Sequence, residues 1–360
     1  MEQYRLGILK GDGIGLEIVP ATVDILQAAA ERLGSGDLIE WVPLPIGWEA
    51  IDLYGLPMPQ ETIDELEKTQ GWILGPDNGN SYPKHISGEN HPGAGLRHVF
   101  ELYANIRPSK NLPGIPAVAT DTDLVIAREN LEGLYPYGNM FKGIGEFMPT
   151  EDVALTVGLF TRKSVERIAH VAFQLARGRR KKVTIVHKAN VLLLSSGLFR
   201  SVAYEIAEQY PDVEVNDFMI DAMAAQLVRR PQMFDVIVTE NMFGDILSDL
   251  AGELIGALGL SPSINAGDTV AMAQAAHGSA PDIAGQDIAN PTGMIRSGAM
   301  LFDWLGTKHA DPRLTAIAEL VDRALMSTFA AGIRTGDVGG THGTVSFTAA
   351  VIDAINATEI

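Results

Sequence analysis

Short apolar runs alternate with longer amphipathic segments along nearly the whole chain, and this alternation constrains the fold more than any other feature. The longer segments, in which apolar residues recur every three to four positions, predict helices. Several of the short runs are apolar on both faces, as strands buried beneath two layers of helices are. The sequence therefore predicts an α/β fold with a largely parallel sheet. The predicted strands are Arg5–Leu9, Leu38–Leu44, Gly71–Leu74, Tyr103–Arg107, Asp123–Arg128, Val183–His187, Val213–Ile220 and Phe234–Thr239.

Length and composition favour a globular protein with two domains. The chain has 360 residues, 46% of them hydrophobic and 20% charged, so it is able to bury a large core. The absence of cysteine excludes disulfides, thiol catalysis and zinc–thiolate sites. No apolar run approaches the roughly 20 residues that span a bilayer, and the first ten residues lack a signal-peptide pattern. We therefore expect a cytoplasmic protein with no membrane partner.

The charge balance argues against a nucleic-acid partner. The chain carries 27 basic and 45 acidic residues, a net charge of −18, which repels phosphate backbones. One basic run, Arg177–Lys182, lies between a predicted helix and a predicted strand. We interpret this run as a solvated turn.

Residues 133–160 break the alternation. They are rich in Gly, Tyr and Phe and then become β-prone at Val153–Phe160. This pattern predicts a protruding arm or hairpin, of the kind that completes an oligomer, although a plain surface loop fits the composition as well.

Charged residues stand at the ends of five predicted strands. Arg107 and Arg128 end two of them, and Lys188, Asp221 and Glu240 follow three others. Ligands bind beyond the carboxyl ends of parallel strands. A single charged strand end is most often a solvated loop, but five that meet at one edge predict a binding site.

Asp221, Asp245 and Asp249 are the candidate metal ligands. Asp245 and Asp249 are spaced i and i+4 in a predicted helix, Asp245–Leu258, so their carboxylates lie on one face. Like charges at this spacing repel unless a cation lies between them, and hard oxygen ligands suit Mg²⁺ or Mn²⁺. The alternative is the preference of helix N-termini for acidic residues, which explains Asp245 better than Asp249.

Three arginines, Arg97, Arg107 and Arg128, are the candidate substrate ligands. Arginine binds carboxylates through two parallel hydrogen bonds, so three of them near one divalent ion imply a substrate with two or more carboxylates. Lys188 suits a general base at the same edge. Tyr135, seven residues after Arg128, is either a phenolic acid at this edge or a packing residue.

Two glycine-rich stretches are candidates for binding a nucleotide. Gly11–Gly15 follows the first strand but matches neither the dinucleotide fingerprint nor a P-loop, which favours a tight turn. His277–Gly285 precedes Asn290 and a predicted helix. Backbone N–H groups at such a helix entry are able to hold a nucleotide.

Several short motifs, each different, follow one another along essentially the whole chain. They are Gly11–Glu17, Leu96–Arg97, Tyr103–Pro108, Arg128–Tyr135, Lys188–Asn190, Asp221–Met223, Asn241–Asp249, His277–Gly285 and Ile288–Thr292. Together they resemble the β-decarboxylating dehydrogenases, the family of isopropylmalate, isocitrate, homoisocitrate and tartrate/D-malate dehydrogenases. As a set these motifs are highly specific.

The resemblance implies an isopropylmalate dehydrogenase-like two-domain fold with the active site in the cleft between the domains. The large cofactor-binding domain would comprise residues 1–102 and 255–360. The small domain, residues 103–254, would bind substrate and form a homodimer through an arm near 133–160. Lys188 and Asp221 would enter the partner's active site, so that the sites are shared.

The implied reaction is oxidative decarboxylation of a (2R)-malate that carries a group on C3, yielding a 2-keto acid, CO₂ and NADH. The substrate carboxylates would be bound by Arg97, Arg107 and Arg128. Mg²⁺ or Mn²⁺ would be held by Asp245, Asp249 and Asp221 of the partner subunit. Lys188 would act as the base, and Tyr135 would protonate the carbon that loses CO₂.

The resemblance also implies the contacts with the dinucleotide. They would come from His277, Gly278, Ser279, Ala280, Pro281, Asp282, Ile283, Gly285 and Asn290. Asp282 falls in the loop around the adenine ribose, where a carboxylate accepts hydrogen bonds from hydroxyls and repels a 2′-phosphate. NADP-specific relatives carry Lys and Tyr where this chain has Asp282 and Ile283. We therefore predict NAD.

The segment before Arg97 departs from the family pattern. Isopropylmalate enzymes usually carry leucines there and isocitrate enzymes carry Ser and Asn, whereas small residues follow His91 in this chain. His91 is a candidate for contact with a polar group on C3. This segment disfavours isocitrate and weakens 3-isopropylmalate, and it leaves D-malate, tartrate or a larger C3-substituted malate open.

Other functions remain as alternatives. The chain is also compatible with an isocitrate/homoisocitrate dehydrogenase or with a non-catalytic dimeric metabolite-binding relative. Such a relative would be expected to have lost Tyr135, Lys188 or an aspartate, and all are present. A metal-dependent phosphotransferase that uses Gly11–Gly15 would lack the lysine of a P-loop.

Overall fold

The computed structural model describes residues 3–83, 86, 91–140 and 142–359. The strands in these residues are β1 (Tyr4–Leu9), β2 (Ile39–Pro43), β3 (Gly71–Leu74), β4 (Ala104–Lys110), β5 (Asp123–Glu129), β6 (Glu146–Thr150), β7 (Val153–Thr156), β8 (Lys182–His187), β9 (Glu214–Met219), β10 (Val236–Thr239), β11 (Ile264–Ala266) and β12 (Ala271–Ala273). The helices are α1 (Gly15–Arg32), α2 (Trp48–Tyr54), α3 (Gln60–Leu66), α4 (Pro92–Val99), α5 (Arg162–Arg177), α6 (Ser195–Ala207), α7 (Ile220–Arg229), α8 (Asn241–Leu254), α9 (Thr292–His309), α10 (Pro312–Ala330) and α11 (Thr344–Ala357).

A single large sheet forms the centre of the molecule, with strand order β2-β1-β3-β12-β11-β4-β5-β10-β8-β9. Most neighbours are parallel, and the antiparallel pairs are β11–β12, β11–β4 and β4–β5. Every residue of β3 and β10 is buried, because helices cover both faces of the sheet. The predicted α/β fold with a largely parallel sheet is confirmed.

The two halves of the sheet come from different parts of the chain. The strands β2, β1, β3, β12 and β11 are drawn from residues 4–74 and 264–273, and the other five from residues 104–239. The halves meet where β11 pairs with β4, with Asn265 opposite Asn105. The division into two domains at residues 102 and 254 stays a prediction.

The direction of β4 corrects one step of the sequence analysis. Arg107 was expected at the carboxyl end of a parallel strand, but β4 runs antiparallel to β5 and Arg107 lies in its middle, opposite Ile126. The Nε atom of Arg107 donates a hydrogen bond to Oδ1 of Asn105 at 2.7 Å. Because Asn105 pairs with Arg128 across the strands, this bond turns the Arg107 side chain toward Arg128.

The helices form where apolar residues fall on one face, and α5 shows the pattern. Its N-cap, Thr161, accepts a hydrogen bond from the backbone N–H of Ser164 at 3.2 Å. Val165, Ile168 and Phe173 are among the residues of α5 that face the core and are buried. In the part of the chain that the structure describes, no helix is both long and apolar enough to cross a bilayer.

The segment after Tyr135 forms the predicted hairpin. Strands β6 and β7 pair antiparallel with a register shift between Phe147 and Thr150. Every residue of both strands is exposed, including Phe147, Met148 and Leu155. Apolar side chains exposed on a two-stranded hairpin are typical of a surface that another chain covers.

One other prediction about local structure was wrong, and another was correct only in part. Helix α8 begins at Asn241, four residues before the predicted start, so Asp245 lies one turn inside the helix. The basic run is not a purely solvated turn, because Arg179 donates hydrogen bonds to Asp235 at 2.8 Å and to Asp123 at 2.7 Å. Asp235 is almost fully buried, so its charge requires this partner. The sequence gives no sign of a contact between residues so far apart.

The packing of α5 yields a stability prediction. Phe173 is fully buried, so Phe173→Ala should lower the free energy of unfolding by about 3–5 kcal/mol. Leu53→Ala serves as the control, because Leu53 is 65% exposed and its truncation should change this free energy by about 0.5 kcal/mol or less. Urea unfolding measures both, and a Phe173→Ala protein as stable as the control would contradict the packing described.

Candidate active site

A cavity of about 300 Å³ brings together most of the side chains predicted to bind substrate. We call it the substrate cavity. Arg97 enters it from α4, Arg107 from β4, Arg128 from β5 and Asp245 from α8. Tyr135, in the loop after β5, also lines it. These elements are far apart in sequence, so the sheet order is what makes them meet.

Helix α8 lies unusually close to β5 because of a glycine. A Cβ atom added to Gly244 would lie 2.6 Å from Cγ and 2.7 Å from Cβ of Arg128. This close approach lets Arg128 lie along the helix, where its guanidinium donates hydrogen bonds to Oδ1 of Asn241 and pairs with Asp245. The side chain of Arg128 is consequently only 4% exposed.

Asp245 is the centre of the charge network. Its Oδ1 atom pairs with Arg128 and lies 3.4 Å from Nη1 of Arg107, and its Oδ2 accepts a hydrogen bond from the Tyr135 hydroxyl at 2.6 Å. Nη1 of Arg107 also donates to Oγ of Ser248 at 2.8 Å and lies 3.4 Å from Oδ1 of Asp249. One partly buried carboxylate thus faces two buried guanidinium groups.

The arginines leave an excess of positive charge in the substrate cavity. Burial and the nearby charges of Arg128 and Arg107 lower the pKa of Arg97 to about 9. Burial and Arg128 lower the pKa of Arg107 to about 10, so both stay protonated at neutral pH. Arg97 donates to Oε1 of Gln274 at 2.9 Å, but its buried Nε has no partner. Crowded cations with unused donors form a site for a multiply charged anion.

The electrostatics assign opposite protonation states to Tyr135 and Asp245. Burial, followed by the hydrogen bond to Asp245, raises the pKa of Tyr135 to about 12, so the phenol keeps its proton. Burial alone would raise the pKa of Asp245, but the charges of Arg128 and Arg107 outweigh it and hold that pKa below its usual value. The pair therefore consists of a phenol and a carboxylate at neutral pH.

The predicted metal ligands are only partly brought together within one chain. Asp245 and Asp249 project from the same face of α8, and both present carboxylate oxygens, which fit Mg²⁺ or Mn²⁺. Burial raises the pKa of Asp249, and the charge of Asp245 adds to this although Arg107 opposes it. Among the described residues of a single chain, no three acidic or histidine side chains are placed to hold a metal ion. The third predicted ligand, Asp221, lies elsewhere, in the first turn of α7.

Lys188 and Asp221 form a pair of their own that does not line the substrate cavity. Nζ of Lys188 donates to Oδ1 of Asp221 at 2.6 Å, and this hydrogen bond lowers the pKa of Asp221. The backbone of Lys188 is fixed by a chain of two hydrogen bonds. Its N–H donates to Oγ of Ser196 at 3.1 Å, and that hydroxyl donates to Glu240. The pair is thus presented outward from a fixed support.

The two glycine-rich stretches pack against each other. The backbone N–H of Ile14 donates to the carbonyl of Ser279 at 2.9 Å, and a Cβ on Gly13 would lie 2.1 Å from the same oxygen. Gly13 also has a φ of +55°, which disfavours any side chain. The first stretch is therefore a tight turn that supports the second, as the favoured interpretation predicted.

A second cavity, of about 320 Å³, lies beside these stretches and fits an aromatic heterocycle. His277, Gly278, Ala280, Ile283 and Asn290 line it. The Nε2 atom of His277 is buried and has no hydrogen-bond partner, so the cavity offers an unused polar contact. The residues present thus fit the adenine end of a dinucleotide.

Several predicted cofactor residues lie at the rim rather than in this cavity. Pro281 and Asp282 are exposed, and Ser279 contributes its carbonyl to the packing contact with Ile14. The backbone N–H of Gly285 donates to Glu17 at 2.9 Å, which anchors the loop to α1.

A family model for isocitrate/isopropylmalate dehydrogenases matches residues 5–355. The chain belongs to this family. It is 42% identical over 355 residues to the isocitrate/homoisocitrate dehydrogenase of Thermus thermophilus, across 98% of this chain and 99% of the relative. It is 41% identical to the 3-isopropylmalate/3-methylmalate dehydrogenase of Methanocaldococcus jannaschii, across 94% of each. The crystal structure of the isocitrate dehydrogenase from Methylococcus capsulatus matches with a TM-score of 0.87 and 38% identity, covering 98% of this chain and 100% of that chain.

Membership of the isocitrate/isopropylmalate dehydrogenase family makes this chain a decarboxylating dehydrogenase, an oxidoreductase. Members act on hydroxy acids, generally depend on NAD(P) and a divalent metal ion, and are typically dimeric. The resemblance inferred from the motifs is therefore confirmed at the level of the family.

This family member also has site residues that the sequence analysis missed. Ala94, His98 and Tyr137 line the substrate cavity, whereas His91 lies beside Asp77, with 3.5 Å between Nδ1 and Oδ1. Burial and the charge of Arg97 lower the pKa of His98, which keeps its ring neutral. Ala94, Arg97 and His98 are spaced i, i+3 and i+4 on α4, and that spacing was the available signal.

Asp337 was also missed. It lines the cavity beside His277, and its Oδ2 accepts a hydrogen bond from Nδ2 of Asn290 at 3.0 Å. Nothing in the local sequence pattern indicates this contact, which joins residues 47 positions apart.

The support beneath Lys188 yields a pH prediction. Burial raises the pKa of Glu240 to about 7, partly offset by the hydrogen bond from Ser196. The folded protein therefore keeps a proton that the unfolded chain releases above about pH 4.5, so stability falls as pH rises from 4.5 to 7. In the wild type this effect should lower the free energy of unfolding by at most about 3 kcal/mol between pH 5 and 8. Glu240→Gln should abolish this decrease.

Urea unfolding at several pH values measures this effect in the family member and its variants. Glu61→Gln, at an exposed position on α3, is the matched control and should leave the pH dependence of the wild type intact. Parallel pH profiles for wild type and Glu240→Gln would contradict the burial of a proton at Glu240.

Proposed function

We propose that this enzyme catalyses the NAD- and Mg²⁺- or Mn²⁺-dependent oxidative decarboxylation of a (2R)-malate-type 2-hydroxy acid. The products are a 2-keto acid, CO₂ and NADH. The observation that carries the proposal is the convergence of three arginines, two of them almost fully buried, on one cavity around the carboxylate of Asp245. Such a site binds a small diacid far better than a neutral or cationic compound.

The arginines hold and orient the substrate. Arg97 has a buried donor without a partner, and it lies closest in sequence to the segment expected to face C3. Arg107 and Arg128 are fixed by Asn105 and Asn241, so their donors are oriented before substrate arrives. This preorganisation lowers the cost of bringing the reacting atoms into position.

Asp245 and Asp249, with Asp221 of the partner subunit, would hold the divalent ion. Carboxylate oxygens are the ligands that Mg²⁺ and Mn²⁺ prefer, and Asp245 is ionised at neutral pH. When bound, such an ion polarises a hydroxyl or carbonyl oxygen of the substrate as a Lewis acid. With the ion bound, Asp245 would give up part of its contact with Arg107 and Arg128, and these arginines would then be available to substrate.

Two side chains move protons. Lys188 of the partner subunit would take the proton of the C2 hydroxyl, and a bound nicotinamide would supply the acceptor for the hydride from C2. Tyr135, which is protonated at neutral pH, donates its proton to the carbon from which CO₂ has left. Asp245 keeps the phenol oriented through the 2.6 Å hydrogen bond.

The dinucleotide would lie along His277–Gly285 with its adenine in the neighbouring cavity. Asp282 is exposed at the rim, and a carboxylate there favours the ribose hydroxyls of NAD over the 2′-phosphate of NADP. His277 offers an unused nitrogen, and Asn290 is held in place by Asp337.

The proposed mechanism requires a homodimer with shared active sites, and two features of the structure support such a dimer. The pair of Lys188 and Asp221 is presented outward and does not line the cavity of its own chain. The exposed apolar hairpin at Phe147 and Leu155 gives a second chain a surface to cover. A monomer would then be inactive, and we propose that the enzyme is cytoplasmic.

The proposal covers 3-isopropylmalate, D-malate or tartrate, and other 3-substituted malates as substrates. Purified enzyme with Mn²⁺ and NAD⁺ should be assayed for NADH formation with these acids and with isocitrate and homoisocitrate at equal concentration. We expect at least one malate-type acid to be oxidised and decarboxylated. No NADH from any of them would refute the proposed function.

The choice of dinucleotide has a direct test. The double variant Asp282→Lys with Ile283→Tyr should shift the ratio of kcat/KM for NAD over NADP by at least about tenfold toward NADP, because the carboxylate that repels phosphate is gone. Asp353→Asn, at an exposed position on α11, serves as a control for the loss of one surface charge. An unchanged ratio in the double variant would contradict the role of Asp282.

Mixed dimers test whether the sites are shared. Lys188→Ala and Tyr135→Phe subunits should each be inactive alone, but co-expressed together they should recover about a quarter of wild-type activity, because half of the dimers then contain one intact site. Steady-state NADH formation measures the recovery. A mixture as inactive as either variant would show that each site belongs to a single chain.

A further inference from the structure

A second charged cavity, of about 440 Å³, lies away from the substrate cavity. We call it the back groove. Helices α9 and α10 form one wall, and Lys110 at the end of β4 and Asp123 at the start of β5 belong to the other. Arg128 of the substrate cavity lies near the other end of β5, so the two cavities lie at opposite ends of this strand.

Arg296 on α9 is the feature of the back groove that requires a ligand. Its residue surface is only 8% exposed, and its Nε and Nη1 atoms are buried without a hydrogen-bond partner. The nearest carboxylate, Asp322 on α10, is 3.8 Å from Nε, which is beyond hydrogen-bond distance. A buried guanidinium with unused donors is costly, so an acceptor that reaches this group would bind favourably.

Carboxylates line the same side of the back groove. Asp303 on α9 and Glu319 and Asp322 on α10 are all exposed to it. Burial, then the charges of Glu319 and Asp322, raise the pKa of Asp303. This crowding would be relieved by a cationic group of a ligand.

The opposite wall contributes little net charge. Arg179 is neutralised by Asp123 and Asp235, at 2.7 Å and 2.8 Å, and Lys110 lies 3.5 Å from Asp123. The remaining charges of the back groove are therefore one guanidinium and three carboxylates on the two helices, and that guanidinium is joined to Asp322 only by a long ion pair of 3.8 Å.

These charges disfavour simple ions. A lone anion would face three carboxylates, and a lone organic cation would leave the donors of Arg296 unused. In the described residues the acidic groups are not placed to hold a metal ion. A molecule that carries both a carboxylate and an ammonium group satisfies both features.

The back groove continues into an apolar neighbour of about 500 Å³ that shares Met300 and Asp303 with it. Leu175 from α5 and Trp304 from α9 line this extension. A side chain attached to the ligand therefore has room beyond Met300.

We propose that the back groove binds a free α-amino acid. Its carboxylate accepts hydrogen bonds from Arg296, its ammonium group lies near Asp303 and Glu319, and its side chain passes Met300 into the apolar extension. The back groove shares no lining residue with the substrate cavity, so either proposal stands if the other fails.

Isothermal titration calorimetry on the full-length protein tests the proposal with L-leucine, L-lysine, acetate and methylammonium. We expect an amino acid to bind at least about tenfold more tightly than acetate or methylammonium, because only the amino acid engages both charge types. Tighter binding of leucine than of lysine would support placement of the side chain in the apolar extension, and tighter binding of lysine would contradict that placement. No binding of either amino acid, or equal binding of acetate or methylammonium, would overturn the proposal.

Two variants locate the binding. Arg296→Gln and Asp303→Asn should each weaken amino-acid affinity at least about tenfold, and Asp303 is exposed, so its substitution should not disturb folding. Arg323→Gln, on the exposed face of α10, is the control and should bind as the wild type does. Wild-type affinity in Asp303→Asn, or equal loss in Arg323→Gln, would overturn the assignment to this groove.

Discussion

The contact between Arg128 and Asp245 is the interaction on which the active site depends. It joins β5 to α8 through a side chain that is 4% exposed, and Gly244 lets the helix approach closely enough for it. Because Arg97 and Arg107 lie in the same cavity, three guanidinium groups face the single carboxylate of Asp245 there. The fold therefore holds an unbalanced positive charge in place, and a ligand with several negative charges is what stabilises it.

The sheet makes this arrangement possible by joining distant parts of the chain. Strand β4 runs antiparallel to both of its neighbours, β11 and β5. This pairing puts Arg107 beside Arg128, although residues 111–122 separate β4 from β5 in the chain. The same pairing places Lys110 and Asp123 at the opposite end, where the back groove forms. Two strands thus carry residues of both cavities.

Much of the fold and part of the site could be predicted from local patterns. Periodicity located the long strands and helices, and the i, i+4 spacing correctly placed Asp245 and Asp249 on one face of α8. The direction of β4 could not be predicted, because it is set by pairing with β11 more than 150 residues away. The contact of Asp337 with Asn290 escaped for the same reason, since no spacing rule reports contacts between distant residues.

The most direct test of the account measures whether a diacid and a divalent ion bind to the same charge network. Mn²⁺ binding, followed by electron paramagnetic resonance of the free ion, should be compared with and without D-malate. If the arginines and aspartates act together, D-malate should raise the affinity for Mn²⁺ at least about tenfold, and Mn²⁺ should raise the affinity for D-malate equally. Affinity for Mn²⁺ that does not change with D-malate would contradict the account.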